Sequence, residues 1–279
     1  MMNGGAKRPP KYEVLAVRKA LEVLCEFRAE VPAFGASDLS RRLDMPKSTT
    51  HNLLRTLESL DFLRQDQADR RYRLGPRVYE LGLRFAQETR LVSAALPHLR
   101  RLAEDTKETV KLGILSDREV LILAAVESPY QLHTRGDEGR RAPLHCTGLG
   151  KAILATLPAE EVREIVARKG LPRLTPHTIV TLPELEEELE RIRRDGYTLD
   201  REENELGVMC VAAAVEDRTG GSRAALSVSA PTSRMAEDRM RGCSKLVWKS
   251  ARAVEQALGS CRTLAGPAAE WRLGRRQGE

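Results

Sequence analysis

The stretch ASDLSRRLDMPKSTTHNLLRTLESL, residues 36–60, constrains the fold of this chain more than any other. Leu39 and Leu43 are four residues apart, which predicts a short helix over about 37–43. Leu53, Leu54, Leu57 and Leu60 form the apolar stripe of a second helix that starts near Pro46. Asp44 and Met45 must turn the backbone sharply between them. A proline suits the first helical turn, where its missing N–H costs no hydrogen bond. The front of the second helix is polar: Lys47, Ser48, Thr49, Thr50, His51 and Asn52. A helix with one packed side and one donor-rich side suits the major groove of DNA. The same pattern also fits a helical hairpin on the surface of an unrelated domain, and alone it does not choose.

The residues after this stretch favour DNA binding. Residues 61–64, DFLR, read as a short strand, 65–69 as a polar turn, and 70–74, RRYRL, as the returning strand that Gly75-Pro76 closes. Helices followed by a basic hairpin describe a winged helix-turn-helix. Lys47, Arg55, Arg70 and Arg71 are then placed to hold phosphates, while Tyr72 braces the wing. The charge distribution agrees. Residues 1–91 carry 17 Lys+Arg against 12 Asp+Glu, a net of +5, and the rest carry 29 against 28, so most of the formal +6 sits with the candidate DNA-binding segment.

A chain of 279 residues accommodates two domains. No run approaches the roughly 18–20 apolar residues of a membrane span, and the basic start MMNGGAKRPPKYE has no apolar segment behind it, so a cytoplasmic protein is expected. The five cysteines, Cys25, Cys146, Cys210, Cys243 and Cys261, are widely spaced and match no zinc-ligand pattern. Reduced thiols and no metal or cofactor are the expectation.

In chain order, residues 1–13 read as a disordered arm. The DNA-binding domain is assigned to 14–75, with the helix-turn-helix at 36–55 and the wing at 61–74. Its opening helix, 14–27, carries Val14, Val17, Leu21, Leu24 and Phe27 as a stripe, with Cys25 packing beside it. A linker helix covers 76–91. An effector-binding domain covers 92–262, and 263–279 form a tail. Within the second domain a helix at about 92–106 precedes strands at 109–115 and 119–126, an irregular loop at 128–144, and a helix entered at about Gly148. Further helices are expected at 158–169, 181–196 and 233–258, and strands at 196–200, 208–215 and 223–229, with a turn at 217–221. The connections are short, so the expected class is α/β (α+β), a mostly antiparallel sheet flanked by helices.

Three stretches of this domain combine small residues with isolated polar groups. Cys146-Thr147-Gly148-Leu149-Gly150-Lys151 starts a helix, where backbone N–H groups suit a carboxylate; glycines demanded by tight helix–sheet packing explain it equally well. It is not a nucleotide P-loop, since His145 and Ala152 stand where that pattern needs Gly and Ser or Thr. Asp200 leads through an acidic loop into the strand holding Val208 and Cys210. Ser227 and Ser229, two apart, share one strand face. Together these groups suit a small polar pocket. No GxSxG, HExxH or DxD pattern points to catalysis. Two alternatives are an enzyme acting on a small carboxylate and a metal-dependent sensor using His145, Cys146 and Cys210.

An ordered set of motifs resembles the IclR family of bacterial transcription regulators over roughly residues 14–262. It comprises RKALEVL at 18–24, MPKST at 45–49, Thr56-Leu57, YRLG at 72–75, Pro143-Leu144-His145, GKAILA at 150–155, Gly196-Tyr197 with Asp200 and Glu202-Glu203, Gly207-Val208 with CVAA at 210–213, and ALSVS at 225–229 with Pro231. The resemblance implies a winged helix-turn-helix, a GAF/PAS-like effector-binding domain, and homodimers or homotetramers on palindromic double-stranded DNA. It also implies a small organic acid as effector, a repressor of a catabolic or metabolic operon, and no membrane partner. The family pocket carries over to Gly148, Leu149, Asp200, Val208 and Cys210, with Ser227 and Ser229 similar to its serines. There are three departures. Asp44 replaces a turn glycine, and Asp tolerates left-handed backbone. Asn52 replaces an arginine, which leaves open whether that position touches DNA. An alanine before the glycine–lysine pair is replaced in Thr147-Gly148-Leu149, which points to a larger pocket floor.

Overall fold

The computed structural model describes residues 12–27, 31–88, 90–216 and 223–259. The expected arm up to residue 11, the turn at 217–221, Cys261 and the tail lie outside the described residues. The chain divides into two compact units, Met1–Arg90 and Leu91–Glu279.

In the first unit, helices α1 (Leu15–Glu26), α2 (Ala36–Arg42) and α3 (Lys47–Ser59) precede strands β1 (Leu63–Gln65) and β2 (Tyr72–Leu74), which pair antiparallel. The turn after α2 places Asp44 at φ 46°, the left-handed region its side chain tolerates. The Ser40 hydroxyl donates to the Met45 carbonyl at 2.6 Å, and the Met45 N–H to the Ser40 carbonyl at 2.9 Å, which locks that turn. Pro46 is the N-cap of α3 rather than its first helical residue. Val23, Phe27, Phe34, Leu39, Met45, Leu54, Leu57, Leu63 and Tyr72 form the core. Truncating a fully buried leucine such as Leu39 or Leu54 costs about 2–5 kcal/mol.

The opening helix departs from its expected packing. Val14, Val17 and Leu21 are exposed and Val23 is buried, because the periodicity defines an apolar face without saying what covers it. Cys25 is likewise exposed rather than packed. Helix α4 (Pro76–Glu88) also leaves apolar groups outside, with Tyr79 70% exposed and Leu81 and Leu83 exposed.

The second unit is a six-stranded antiparallel sheet in the order β5-β4-β3-β8-β7-β6. Its strands are β3 (Thr109–Ser116), β4 (Glu119–Val126), β5 (Arg141–Ala142), β6 (Thr198–Arg201), β7 (Val208–Glu216) and β8 (Arg223–Pro231). β5 is a two-residue edge inside the segment expected to be irregular. Helices α5 (Arg90–Thr106) and α9 (Glu237–Ala257) cover one face through Leu99, Leu102, Met240 and Val247, against Val110, Leu112, Val211 and Leu226. On the other face lie α6 (Gly148–Leu154), α7 (Ala159–Lys169) and α8 (Leu182–Asp195), where Leu149, Ile153, Leu185 and Leu189 share a core with Val120, Ala212 and Ala225. α8 has the expected ends. The Thr181 hydroxyl accepts from the Glu184 N–H at 3.4 Å and donates to its carboxylate at 2.7 Å, and Gly196 closes the helix at φ 80°. The closing helix begins later than residue 233, after a 3-10 turn at Thr232–Arg234, with Met235 buried and Ala236 exposed.

Candidate DNA-binding and effector sites

On α3 the packing stripe takes Leu54 and Leu57 inward and leaves Lys47, Ser48, His51, Asn52 and Arg55 exposed, with Thr49 half-buried. Thr50 departs from the expected set. It is fully buried, and its hydroxyl donates to the Pro46 carbonyl at 3.1 Å, so it closes the helix start instead of facing outward. In the wing, Arg70 and Arg71 are exposed. Lys47, Arg55, Arg70 and Arg71 make no ion pair among the described residues, whereas Arg73 is held by Asp66 at 3.1 Å and Asp69 at 2.8 Å. The hydrogen bond from Arg73, together with the Arg71 N–H, holds the Asp69 carboxyl down at about 2. Tyr72 is buried, and its backbone exchanges hydrogen bonds with Phe34 at 2.8 and 3.1 Å. It braces the wing from inside and presents no side chain to a ligand.

The second site is built by strand register. Directly opposite residues of neighbouring antiparallel strands point to the same face. Asp200 on β6 lies opposite Cys210 on β7, Cys210 opposite Ser229 on β8, and Ser229 opposite Thr109 on β3. One step along, Thr198, Ala212, Ser227 and Lys111 form a parallel row. Ala212 belongs to the core beneath α6, so both rows face that helix. Val208, two residues before Cys210, shares its face and is half-buried. Gly148 sits on the rows: a Cβ there would stand 3.2 Å from the Cys210 Cβ and 3.3 Å from the Ala212 Cβ. A Cβ on Gly150 would collide with the Leu144 carbonyl. Close packing therefore accounts for both glycines, and Leu149 is buried beside them. The sheet and α6 thus bring Gly148, Cys210, Ser227, Ser229 and Asp200 to one face.

The polar groups of this face are buried and mostly paired. The Cys210 thiol donates to the Ser229 hydroxyl at 3.1 Å. Asp200 accepts the Glu203 N–H at 2.8 Å. Burial, with the Glu203 charge beside it, raises the Asp200 carboxyl to about 7. Burial also pushes the Cys146 and Cys210 thiols up to about 12, far from the thiolate a nucleophile or metal ligand needs. His145 contacts the Pro172 carbonyl at 3.1 Å, and burial lowers its pKa. Among the described residues no three His, Cys, Asp or Glu side chains are grouped as metal ligands.

Sequence reasoning missed what holds Asp200 in place. Lys151 is fully buried, and its ammonium donates to Glu203 at 2.5 Å, to the Leu199 carbonyl at 2.8 Å and to Glu188 at 3.1 Å. The Thr175 and Thr178 hydroxyls donate to the Glu202 and Glu203 carbonyls, each at 2.6 Å. A lysine inside the apolar run GLGKAILATL was the available signal, because a buried lysine has to be paired.

The two units thus form a helix-turn-helix with a free donor-rich face and an α/β domain with a recessed polar row, the architecture of a ligand-sensing DNA-binding regulator. Comparison with known proteins agrees. Residues 16–67 match the IclR helix-turn-helix domain, and residues 84–256 match the bacterial transcriptional regulator IclR C-terminal domain. The HTH-type transcriptional repressor AllR of Klebsiella pneumoniae is 36% identical over 244 residues, covering 88% of this chain and 90% of the relative. AllR of Salmonella typhi is 36% identical over 256 residues, 92% and 94% of the two chains. Among solved structures, an IclR transcriptional regulator from Alicyclobacillus acidocaldarius superposes with a TM-score of 0.80 at 29% identity, covering 89% of this chain and all of that one. An IclR homolog from Microbacterium hydrocarbonoxydans, complexed with 4-hydroxybenzoate, gives 0.78 at 27%, covering 88% and 100%. The chain belongs to the IclR family of transcriptional regulators and is a DNA-binding protein of that family. No helix among the described residues is long and apolar enough to cross a membrane.

Proposed function

We propose that this protein is a repressor whose affinity for a palindromic operator is set by a small organic acid bound in the second unit. The observation that carries the reading is the register-built row Asp200–Cys210–Ser229 beneath Gly148, a recessed polar floor in a chain that also presents a free recognition helix. Ser48, Thr49, His51 and Asn52 meet base edges, while Lys47, Arg55, Arg70 and Arg71 hold phosphates. Phosphate contacts set affinity and register, and base contacts set sequence choice. The AllR relatives are repressors, and the Microbacterium relative holds an aromatic acid; both support this assignment.

The exposed apolar groups Val14, Val17 and Leu21 on α1, and Tyr79, Leu81 and Leu83 on α4, support a homodimer through the first unit. A two-fold dimer then reads two half-sites. The acid binds two arrangements of the dimer unequally, which is the thermodynamic condition for shifting DNA affinity. The protein acts by binding and performs no catalysis, consistent with the raised thiols. The test is the salt dependence of operator binding. With about 4 phosphates neutralised per protomer, the slope of log K against log salt is about −7 for the dimer. Salt-independent binding contradicts the assignment of α3 and the wing.

A further inference from the structure

The polar rows of the second unit end differently on their two sides. Asp200, fixed by the Lys151 cluster, closes the β6 side. On the β3 side the row that contains Ser227 ends in a cation: Lys111 lies directly opposite Ser227, on the α6 face. Its side chain is 13% exposed, and its hydrogen bond among the described residues goes to Asp137 at 3.4 Å. An ammonium carries three donors, and a nearly buried one needs them used. Asp137 is also shared, accepting from Arg140 at 3.1 Å. Burial opposes ionisation of Asp137, but the Lys111 and Arg140 charges prevail and keep its pKa low, so it stays an anion loosely matched to Lys111. Ser227 is buried too, and its hydroxyl makes no hydrogen bond among the described residues. An under-used cation and an unused hydroxyl therefore stand side by side on the floor.

Building on the effector reading above, we propose that Lys111 and Ser227 receive the anionic group of the effector and that Lys111 sets the protein's preference for a carboxylate over a neutral ligand. The row orients the ligand as well. Lys111 and Asp200 stand in neighbouring rows, three strand spacings and two residues apart, about 16 Å. A carboxylate beside Asp200 and Glu203 meets like charge, whereas the β3 side offers opposite charge. The carboxylate points to Lys111, and the far end of the ligand, which suits a hydroxyl donor, points towards Asp200. The effector class is a small monocarboxylic acid with a neutral polar tail.

The test uses the full chain and four acids, glycolate, lactate, benzoate and 4-hydroxybenzoate, each beside its amide, with affinities read by titration calorimetry. The wild type binds at least one acid and discriminates against its amide by tenfold or more. Lys111→Met loses tenfold or more in affinity for that acid and narrows the gap to the amide, whereas Lys111→Arg retains the preference. Asp137→Asn supplies a change in the opposite direction, which a merely structural ion pair would not give. Removing the competing carboxylate tightens acid binding about twofold to fivefold, the range of a partly exposed pair. Acid binding unchanged in Lys111→Met, or an amide bound as tightly as its acid by the wild type, overturns this inference and leaves the effector reading standing. A wild type that takes none of the four acids overturns the acid-effector reading itself, and the inference with it.

Discussion

The recognition helix and the sheet floor use the same small polar residues in opposite ways. On α3, Ser48, His51 and Asn52 are exposed beside cations that no carboxylate among the described residues neutralises. On the sheet, Asp200, Ser227 and Ser229 are buried on one face, with the Ser229 hydroxyl 3.1 Å from the Cys210 thiol. The first surface is available because nothing covers it, and it suits a large polyanion that brings its own hydration and counterions. The second is available because its groups are withdrawn from water and only partly paired, which suits a small ligand that supplies the missing partners. Withdrawal has a consequence: groups around the floor must be held by further buried charge, whereas the α3 residues need only a packed helix behind them. Removing the charges that hold the floor in place should therefore damage stability, and changes on the α3 face should damage DNA binding alone.

The largest expected effect is at Lys151. Lys151→Met leaves Glu203 and Glu188 without their shared cation, and breaking such a buried pair costs about 3–5 kcal/mol, read by denaturant unfolding of the purified protein. Glu203 already has one carboxylate oxygen without a partner, so nothing else nearby takes up the charge. A loss below about 1 kcal/mol would mean the cluster is not what holds the floor.

Next is the pH dependence of Asp200. Its pKa in the folded protein is raised to about 7 from 3.8, by burial first and the Glu203 charge second. A raised carboxyl favours the folded state fully only below its unfolded value, and the contribution is lost as pH rises through 7. Asp200→Asn should therefore gain in melting temperature relative to wild type between pH 5 and pH 8, by about a few degrees. A difference that stays flat or narrows would contradict the placement of Asp200.

Effects on the exposed face are smaller. Replacing Ser48, one of the residues proposed to meet base edges, with alanine should cost about 1–3 kcal/mol of operator affinity and relax sequence choice at one position, with melting temperature unchanged. Lys47→Ala should weaken binding to all sequences alike and reduce the salt slope by about 1. The smallest effect sharpens the contrast within α3. Thr50→Val should cost about 1 kcal/mol of stability for the lost bond to Pro46 and leave sequence choice unchanged. Altered choice at one base pair would return Thr50 to the reading face.

The recognition helix was legible because a leucine stripe and a polar front are properties of one segment. Burial of Thr50 was not, since its position among six consecutive polar residues gives no sign of which turn packs inward. Ser227 and Ser229 were legible as a pair by their spacing of two. Their alignment with Cys210, Asp200 and Lys111 was not, because register between strands is fixed by turns and by both faces of the sheet together. Val14, Val17 and Leu21 show the same limit from the other side: the apolar stripe on α1 is present as read, yet it faces outward in a single chain. Lys151 hid in an apolar run because its partners arrive from residues about 40 and 50 positions away.

The measurement closest to the central claim is a mobility-shift titration of the full chain on DNA flanking its own coding region, with and without the acid that binds most tightly. Retardation at low salt whose midpoint moves by tenfold or more when the acid is added is the predicted result. Tight acid binding with an unmoved midpoint would contradict the claim that the buried row governs the exposed helix.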